Sequence, residues 1–388
     1  MSTRHLVYVG QTPAEGTGSP VILLRHLRRL AQHGWRITIV AEHGQDTTAC
    51  ERAGWVVRHL PHRGRYWPPY RPQSRSRILR TIRTWLLARE CRKACGPTPP
   101  DAILGYLAAH ADFSPEIAAH FAAQSGAPFT LLVHDDAAAF ARDAAETRQL
   151  RARHAWIIRQ THRCWFVSPE LAEVYNVPAA FRRVLFPIPE GWETPAAFQP
   201  MYTVKPRVYY AGFVWPPQYP LLTKLARTLD AAGARLALLT RDTPELQRFL
   251  AAEPADWIKQ FPTNREALHH LVQNAAGLLV SYAEKSEEMP WVATSYPSKF
   301  VEYSHLGIPC AIVAPEDSAI GRWSQRTHYP LFFPPGALIQ FGAWATALAQ
   351  PERWREFSAS TLALARGEFS PDVIQTQFEQ DLVRSNPR

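Results

Sequence analysis

The densest set of residues able to do chemistry lies in YPSKFVEYSHLGIPC, residues 296–310. A helical pattern runs over 300–306 just after Pro297 and Ser298, Gly307 stops it, and Ile308-Pro309 turns the chain. The first turn of such a helix has backbone N–H groups without intrahelical acceptors, which suit an anion such as a phosphate. Lys299 adds a cation at that place. Glu302 follows one turn along, where a carboxylate could accept two hydroxyl hydrogen bonds, as from a ribose.

Two other places have the right residue types. His134 closes the apolar run PFTLLVH and is followed by Asp135 and Asp136. A His or carboxylate there could serve as a general base, or His134 could simply end a strand and cap the next helix together with Asp135. The first reading is preferred, because α/β sites form at strand C-termini. Gly16, Thr17, Gly18 and Ser19 make a short glycine loop after the first apolar run. It fits close approach of a ligand to the backbone, which a Cβ would hinder, and equally a tight strand-to-helix turn.

The elements that must position these residues can be read from periodicity. Residues 4–10 form a strand, and Ser19 as N-cap with Pro20 at the first helical position opens a helix over 21–32. Apolar residues at 23, 24, 27, 30 and 31 give that helix its period, and Gly34 closes it. Strands follow at 36–41, 55–60, 102–106, 129–133 and 164–167, and residues 187–206 read as a Pro-rich linker. A second set begins with strand 207–211 and helix 221–232, then alternates through strands 235–240, 257–261, 277–281 and 310–314. Helices at 343–349 and 352–366 and a tail helix after Ser370-Pro371 complete the chain. This order predicts α/β architecture with two doubly wound, Rossmann-like domains.

The stretch PSKFVEY, the glycine loop, the strand-end His, the linker, the strand YAGFV and the run LHHLVQNAAGLLVSY together resemble the family-4-like glycosyltransferases of GT-B fold (glycosyltransferase group 1). The resemblance covers nearly the whole chain. It implies two domains facing across a cleft: residues 1–195 for the acceptor, 196–370 for the nucleotide-sugar donor, and 371–388 as a helical tail. It implies transfer of a sugar from a nucleotide-diphosphate sugar to an acceptor hydroxyl, with no cofactor and no metal. Glu302 matches the family's ribose-binding Glu. Pro297, Ser298, Lys299 and Phe300 would surround the diphosphate with Gly16, Gly18 and Ser19. His134, with Asp135, would act at the transferred sugar.

The chain departs from the family at three positions. The family's first Glu falls on Thr294, its Arg after the Gly of strand 207–211 falls on Phe213, and its Lys five residues later falls on Gln218. Losing two cations from a diphosphate site weakens it by several kcal/mol unless others replace them. Lys299 and Arg241 are the candidate replacements. The same losses also fit a non-catalytic nucleotide- or glycan-binding protein of this fold, and a nucleotide-sugar epimerase is a third reading.

Charge adds a candidate partner. The net charge is +9, and all of the excess lies in the first half. Residues 52–93 alone hold twelve Lys or Arg against the single acid Glu90. Within the stretch 71–93, from Arg71 to Lys93, the residues Ile78, Ile82, Trp85 and Leu86 share one helical face, with Arg77, Arg80 and Arg83 on the other. That pattern suits a helix lying on anionic lipid, with a glycan or lipid-linked acceptor at hand. It equally suits a helix packed on its own domain by the apolar stripe. No nucleic-acid motif is present, so no nucleic-acid partner is expected. The five cysteines have no zinc spacing and read as reduced thiols. No apolar run is long enough to span a bilayer, and the opening MSTRHLVYVG does not read as a signal peptide, so none is expected. The expected location is cytoplasmic, peripheral on the inner face of the membrane if the basic stretch binds lipid.

Overall fold

The computed structural model describes residues 3–16, 18–41, 44–60, 77–96, 98–108, 113–178, 181–192 and 194–383. They form two compact units, Met1–Leu185 with Gln375–Arg388, and Phe186–Ile374. The first boundary thus falls ten residues before the one expected at 195/196. The end of the tail, expected to stand apart, belongs to the first unit.

The first unit runs β1 His5–Val9, α1 Ser19–Gln32, β2 Arg36–Ala41, α2 Thr48–Arg52, β3 Val56–His59, α3 Arg77–Cys95, β4 Ala102–Leu107, α4 Ser114–Ser125, β5 Phe129–Val133, α5 Ala144–Arg159, β6 Arg163–Phe166, α6 Pro169–Val174 and β7 Arg182–Val184. Its seven strands are all parallel, in the order β3-β2-β1-β4-β5-β6-β7. Parallel strands are covered on both faces, so they read as continuous apolar runs; β1, β4 and β5 are buried throughout. Helix α1 buries Leu23, Leu24, Leu27 and Leu30, the period read from the sequence. It starts one residue earlier than expected. Gly18, not Ser19, stands at the N-cap, because its φ of 88° lies in the left-handed region that glycine enters without strain.

The second unit runs β8 Arg207–Ala211, α7 Tyr219–Ala231, β9 Arg235–Thr240, α8 Pro244–Ala252, β10 Ala255–Lys259, α9 Asn264–Asn274, β11 Gly277–Ser281, α10 Ser298–Ser304, β12 Cys310–Val313, α11 Ala319–Thr327, β13 Phe332–Phe333, α12 Leu338–Ala347 and α13 Pro351–Arg366. Its parallel sheet has the order β10-β9-β8-β11-β12-β13. Strand β10 begins two residues before the expected 257, where Ala255 aligns with Leu236 of β9. Helix α10 occupies 298–304 rather than 300–306, shifted back onto Pro297 as N-cap. Phe300, Trp323, Tyr329 and Phe369 pack as an aromatic cluster beneath it.

Helix α14, Pro371–Val383, ends in the first unit. There Phe378 packs on His26 and Trp165, and Asp381 accepts from the Trp165 indole at 3.1 Å. Glu379 accepts from the Trp35 indole at 2.9 Å. These residues lie far apart in sequence, which is why periodicity alone left the tail unattached.

Candidate functional site

In both sheets the strand order reverses beside a central pair, β1/β4 and β8/β11. Open α/β sheets bind ligands outside the carboxyl ends of the strands at such a switch point. In the second unit the segments leaving β8 and β11 carry 212–218 and 282–297, and α10 begins directly after.

Lys299 lies in the first turn of α10 and folds back toward β8. Its Nζ sits 5.0 Å from the centre of the Tyr210 ring. It also lies so close over Gly212 that a Cβ there would overlap the amine. Gly212 has φ +122°, so the position needs glycine for backbone conformation as well. Burial lowers the Lys299 ammonium from 10.5 to about 8. Among the described residues no carboxylate stands within ion-pair distance of it. A partly buried cation held by an aromatic ring, with no acid to neutralise it, can accept an anionic ligand.

The first-turn N–H groups are less available than the sequence implied. The Phe300 N–H donates to the Pro297 carbonyl at 3.0 Å, which leaves those of Ser298 and Lys299. The Phe300 side chain is fully buried in the aromatic cluster and has a structural part. Glu302 is partly buried, and its Oε1 accepts the Glu190 N–H at 2.8 Å. The linker around it is fixed on α10 by the Ala196 N–H bond to the Leu306 carbonyl and by Pro195 against Gly307. Glu302 is therefore held in place by backbone 112 residues away along the chain.

The departures from the family have definite structural parts. Gln218 is 1% exposed; its amide donates to the Ser281 carbonyl and its Oε1 accepts from the Trp215 N–H at 2.8 Å. It ties the segment after β8 to the end of β11. Phe213 is 41% exposed and packs edge-on against Trp215. Arg241 is exposed at the end of β9, bonded to Gln260 at 3.1 Å. Thr294 closes the 3₁₀ turn Pro290–Ala293, its hydroxyl on the Trp291 carbonyl at 3.3 Å.

In the first unit His134 follows β5, and its N–H joins it to the Leu107 carbonyl of β4 at 2.8 Å. Its Nδ1 is buried with no hydrogen-bond partner among the described residues, and its ring tilts against Tyr106 at 5.8 Å. Burial pulls its pKa below 6.5 against the opposing charge of Asp135, so the imidazole is neutral at neutral pH. The expected capping role belongs to Asp136, not Asp135. Asp136 accepts from the Ala138 N–H and the Tyr175 hydroxyl, both at 3.1 Å, and pairs with Arg151 at 3.3 Å. These bonds fix the turn that presents His134 and Asp135. Gly16 and Gly18 both have positive φ, and no other part of the chain lies within 3.8 Å of a Cβ built at either. Their requirement for glycine is thus conformational. Ser19 is the first residue of α1, with no side-chain cap on that helix.

Among the described residues no cluster of three or more His, Cys, Asp or Glu is placed to hold a metal ion. Nor is any helix long and apolar enough to cross a membrane. Helix α3 does not pack on its domain by the stripe of Ile78, Ile82 and Trp85, one of the two arrangements the sequence allowed. Thr84, Ala88 and Cys91 face the core, Arg80 turns inward to Glu116 at 3.2 Å, and Ile78 is 73% exposed with Ile82 and Trp85 beside it. Arg71 and the rest of the stretch before Arg77 lie outside the described residues.

No protein-family sequence model matches the chain, and no curated protein sequence matches it. Solved structures do resemble it. HepE of Anabaena, in complex with UDP and glucose, has a TM-score of 0.64 at 11% identity over 98% of this chain and 99% of that one. The sucrose-phosphate synthase of Thermosynechococcus elongatus gives 0.63 at 12% identity, over 98% of each chain. The α,α-trehalose 6-phosphate synthase of Burkholderia multivorans gives 0.60 at 12%, over 100% of each. The likeness is one of fold, and the fold is GT-B, as the sequence resemblance implied.

Proposed function

We propose that this protein is a glycosyltransferase that moves a sugar from a nucleotide-diphosphate sugar to an acceptor hydroxyl. The observation that carries this reading is Lys299: a partly buried ammonium with no acid beside it, at the switch point of the second sheet, one helical turn from Glu302. Lys299 and the N–H groups of Ser298 and Lys299 take the diphosphate. Glu302 takes the ribose hydroxyls. Gly16, Gly18 and Ser19 approach the donor, and His134 with Asp135 serves the transferred sugar. Lys299 does the work of the family's missing Arg and Lys, and the transfer uses no metal. HepE, of the same fold, holds UDP and glucose, which supports a donor of this class.

The test is calorimetric titration with UDP, GDP and ADP and with their glucose conjugates, followed by release of the nucleoside diphosphate. One of the three is expected to bind, and Glu302→Ala to weaken it by on the order of tenfold through loss of the ribose bonds. Unchanged affinity in that variant would remove Glu302 from the site. Binding without any sugar release or transfer favours the non-catalytic relative, which the replacement of the Lys position by the locked Gln218 supports.

The acceptor is proposed to be a glycan or lipid-linked glycan met at an anionic membrane surface. The exposed Ile78, Ile82 and Trp85, with the exposed Arg89, Arg92 and Lys93 further along α3, support this. The protein is expected to sediment with vesicles containing anionic phosphatidylglycerol and not with neutral phosphatidylcholine. The double variant Ile82→Glu/Trp85→Glu is expected to stay in solution. Equal binding by both proteins would assign the surface elsewhere.

A further inference from the structure

The segments that leave β8 and β11 carry three large aromatic rings to one place. Phe213 and Trp215 follow β8, and Trp291 stands on the 3₁₀ turn Pro290–Ala293 after β11. The Phe213 and Trp215 centroids are 4.9 Å apart at 84°, and those of Trp215 and Trp291 are 5.2 Å apart at 59°. Edge-on and tilted contacts leave ring faces uncovered. Phe213 is 41% and Trp215 44% exposed.

That backbone is pinned from three sides. The Tyr210 hydroxyl donates to the Phe213 carbonyl at 2.8 Å, the Trp215 N–H donates to Gln218 at 2.8 Å, and Gln218 donates to Ser281. On the other side Ala283, Met289 and Val292 form a small buried cluster against which Trp291 packs. Phe213 and Trp215 are thus held in place with their rings exposed, and Trp291 stands partly buried beside them. A fixed, uncovered aromatic surface is a preorganised place for a ligand with a flat apolar face.

The surface is continuous with the Lys299 site. Tyr210 holds the Lys299 ammonium on its ring and the Phe213 carbonyl on its hydroxyl. Lys299 reaches toward Gly212, and the aromatic rings begin at the next residue. Glu302, one turn along α10, accepts from Glu190 of the linker rather than from the aromatic segments. With the diphosphate at Lys299 and the ribose at Glu302, the aromatic side of the cation is left for the sugar end of the donor or for the acceptor.

We infer that Phe213, Trp215 and Trp291 form a stacking platform for a pyranose ring, its C–H face on the indoles and its hydroxyls turned outward. The ring belongs either to the donor sugar or to the acceptor. The inference rests on the proposed function for the diphosphate, and on the ring geometry alone for the platform.

The test follows tryptophan fluorescence and calorimetry for the unaltered protein, Trp291→Ala, Trp291→Phe and Trp215→Ala. The titrants are UDP, UDP-glucose, UDP-galactose and UDP-N-acetylglucosamine, then methyl glucoside, galactoside and mannoside with UDP present. If the ring is the donor's, the Ala variants lose on the order of tenfold in affinity for one UDP-sugar, keep their affinity for UDP, and Trp291→Phe restores most of the loss. If it is the acceptor's, UDP-sugar affinities hold, and quenching by a methyl pyranoside disappears in the Ala variants. Weakened binding of UDP itself would place the nucleobase on the rings and overturn the inference. So would the absence of any pyranose effect in folded variants. Failure of the unaltered protein to bind UDP, GDP or ADP would count against Lys299 as a diphosphate site; the methyl pyranosides, titrated alone, then decide the platform.

Discussion

Replacing Lys299 by Met is expected to raise the melting temperature of the free protein while removing most of its affinity for a nucleoside diphosphate. Both effects follow from one fact, a cation kept partly out of water without an acid beside it. Its folded pKa is about 8 against 10.5 for a free Lys. Below pH 8 both folded and unfolded states hold the proton, and the fold bears the full penalty. Between pH 8 and 10.5 the folded state releases the proton first, so stability rises with pH across that window. The lowering corresponds to at most about 3–4 kcal/mol. Lys299 keeps some contact with water, so Met is expected to stabilise by about 1–2 kcal/mol, a shift of a few degrees. The gain is present below pH 8 and fades toward pH 10.5.

Donor affinity moves the other way. Removing the buried partner of a diphosphate is expected to weaken binding on the order of 100-fold. In the unaltered protein affinity falls as pH rises above the Lys299 pKa in the complex. Gly212→Ala separates the two effects. Its Cβ would occupy the place of the amine, and its φ of +122° strains any side chain, so it is expected to lose affinity while lowering the melting temperature. A Lys299→Met protein that binds the diphosphate normally would end the assignment of this site.

His134→Ala is expected to reduce the turnover number about 100-fold or more while leaving diphosphate affinity and melting temperature nearly unchanged. The buried Nδ1 makes no hydrogen bond among the described residues, so the truncation breaks little within the fold. The bonds that shape its turn belong to Asp136, Tyr175 and Arg151 and survive the substitution. The pKa of His134 lies below 6.5, so activity is expected to be level at neutral pH and to fall in acid as the imidazole gains a proton. That acid limb is expected to vanish in the variant. Turnover within twofold of the unaltered protein would show that His134 does no chemistry.

How much of this was legible before the fold was known differs from residue to residue. The apolar runs of β1 to β6 and β8 to β12, the helix over Leu23–Leu30 and the Gly307 turn are local patterns, so they were legible, whereas the short strands β7 and β13 were not. The boundary of α10 was missed by two residues because Pro297 could serve as N-cap as well as the residues after it. Arg80 read as part of an outer charged face, yet it turns inward to Glu116, which lies thirty-six residues on. Trp215 and Trp291 carried no signal at all, since aromatic residues in loops are more often packed than presented.

The sequence by itself determined two doubly wound units, the Lys-Glu pair in PSKFVEY and the strand-end His134, because these depend on residues within a few positions of one another. Tertiary structure decided what those residues have to work with. The sheet order sets β8 beside β11 and so brings Gly212, Tyr210 and Trp215 to Lys299 and Trp291. The pKa of Lys299 and the exposure of the rings are properties of that juxtaposition. They arise from packing between segments some eighty residues apart, and no local pattern records them.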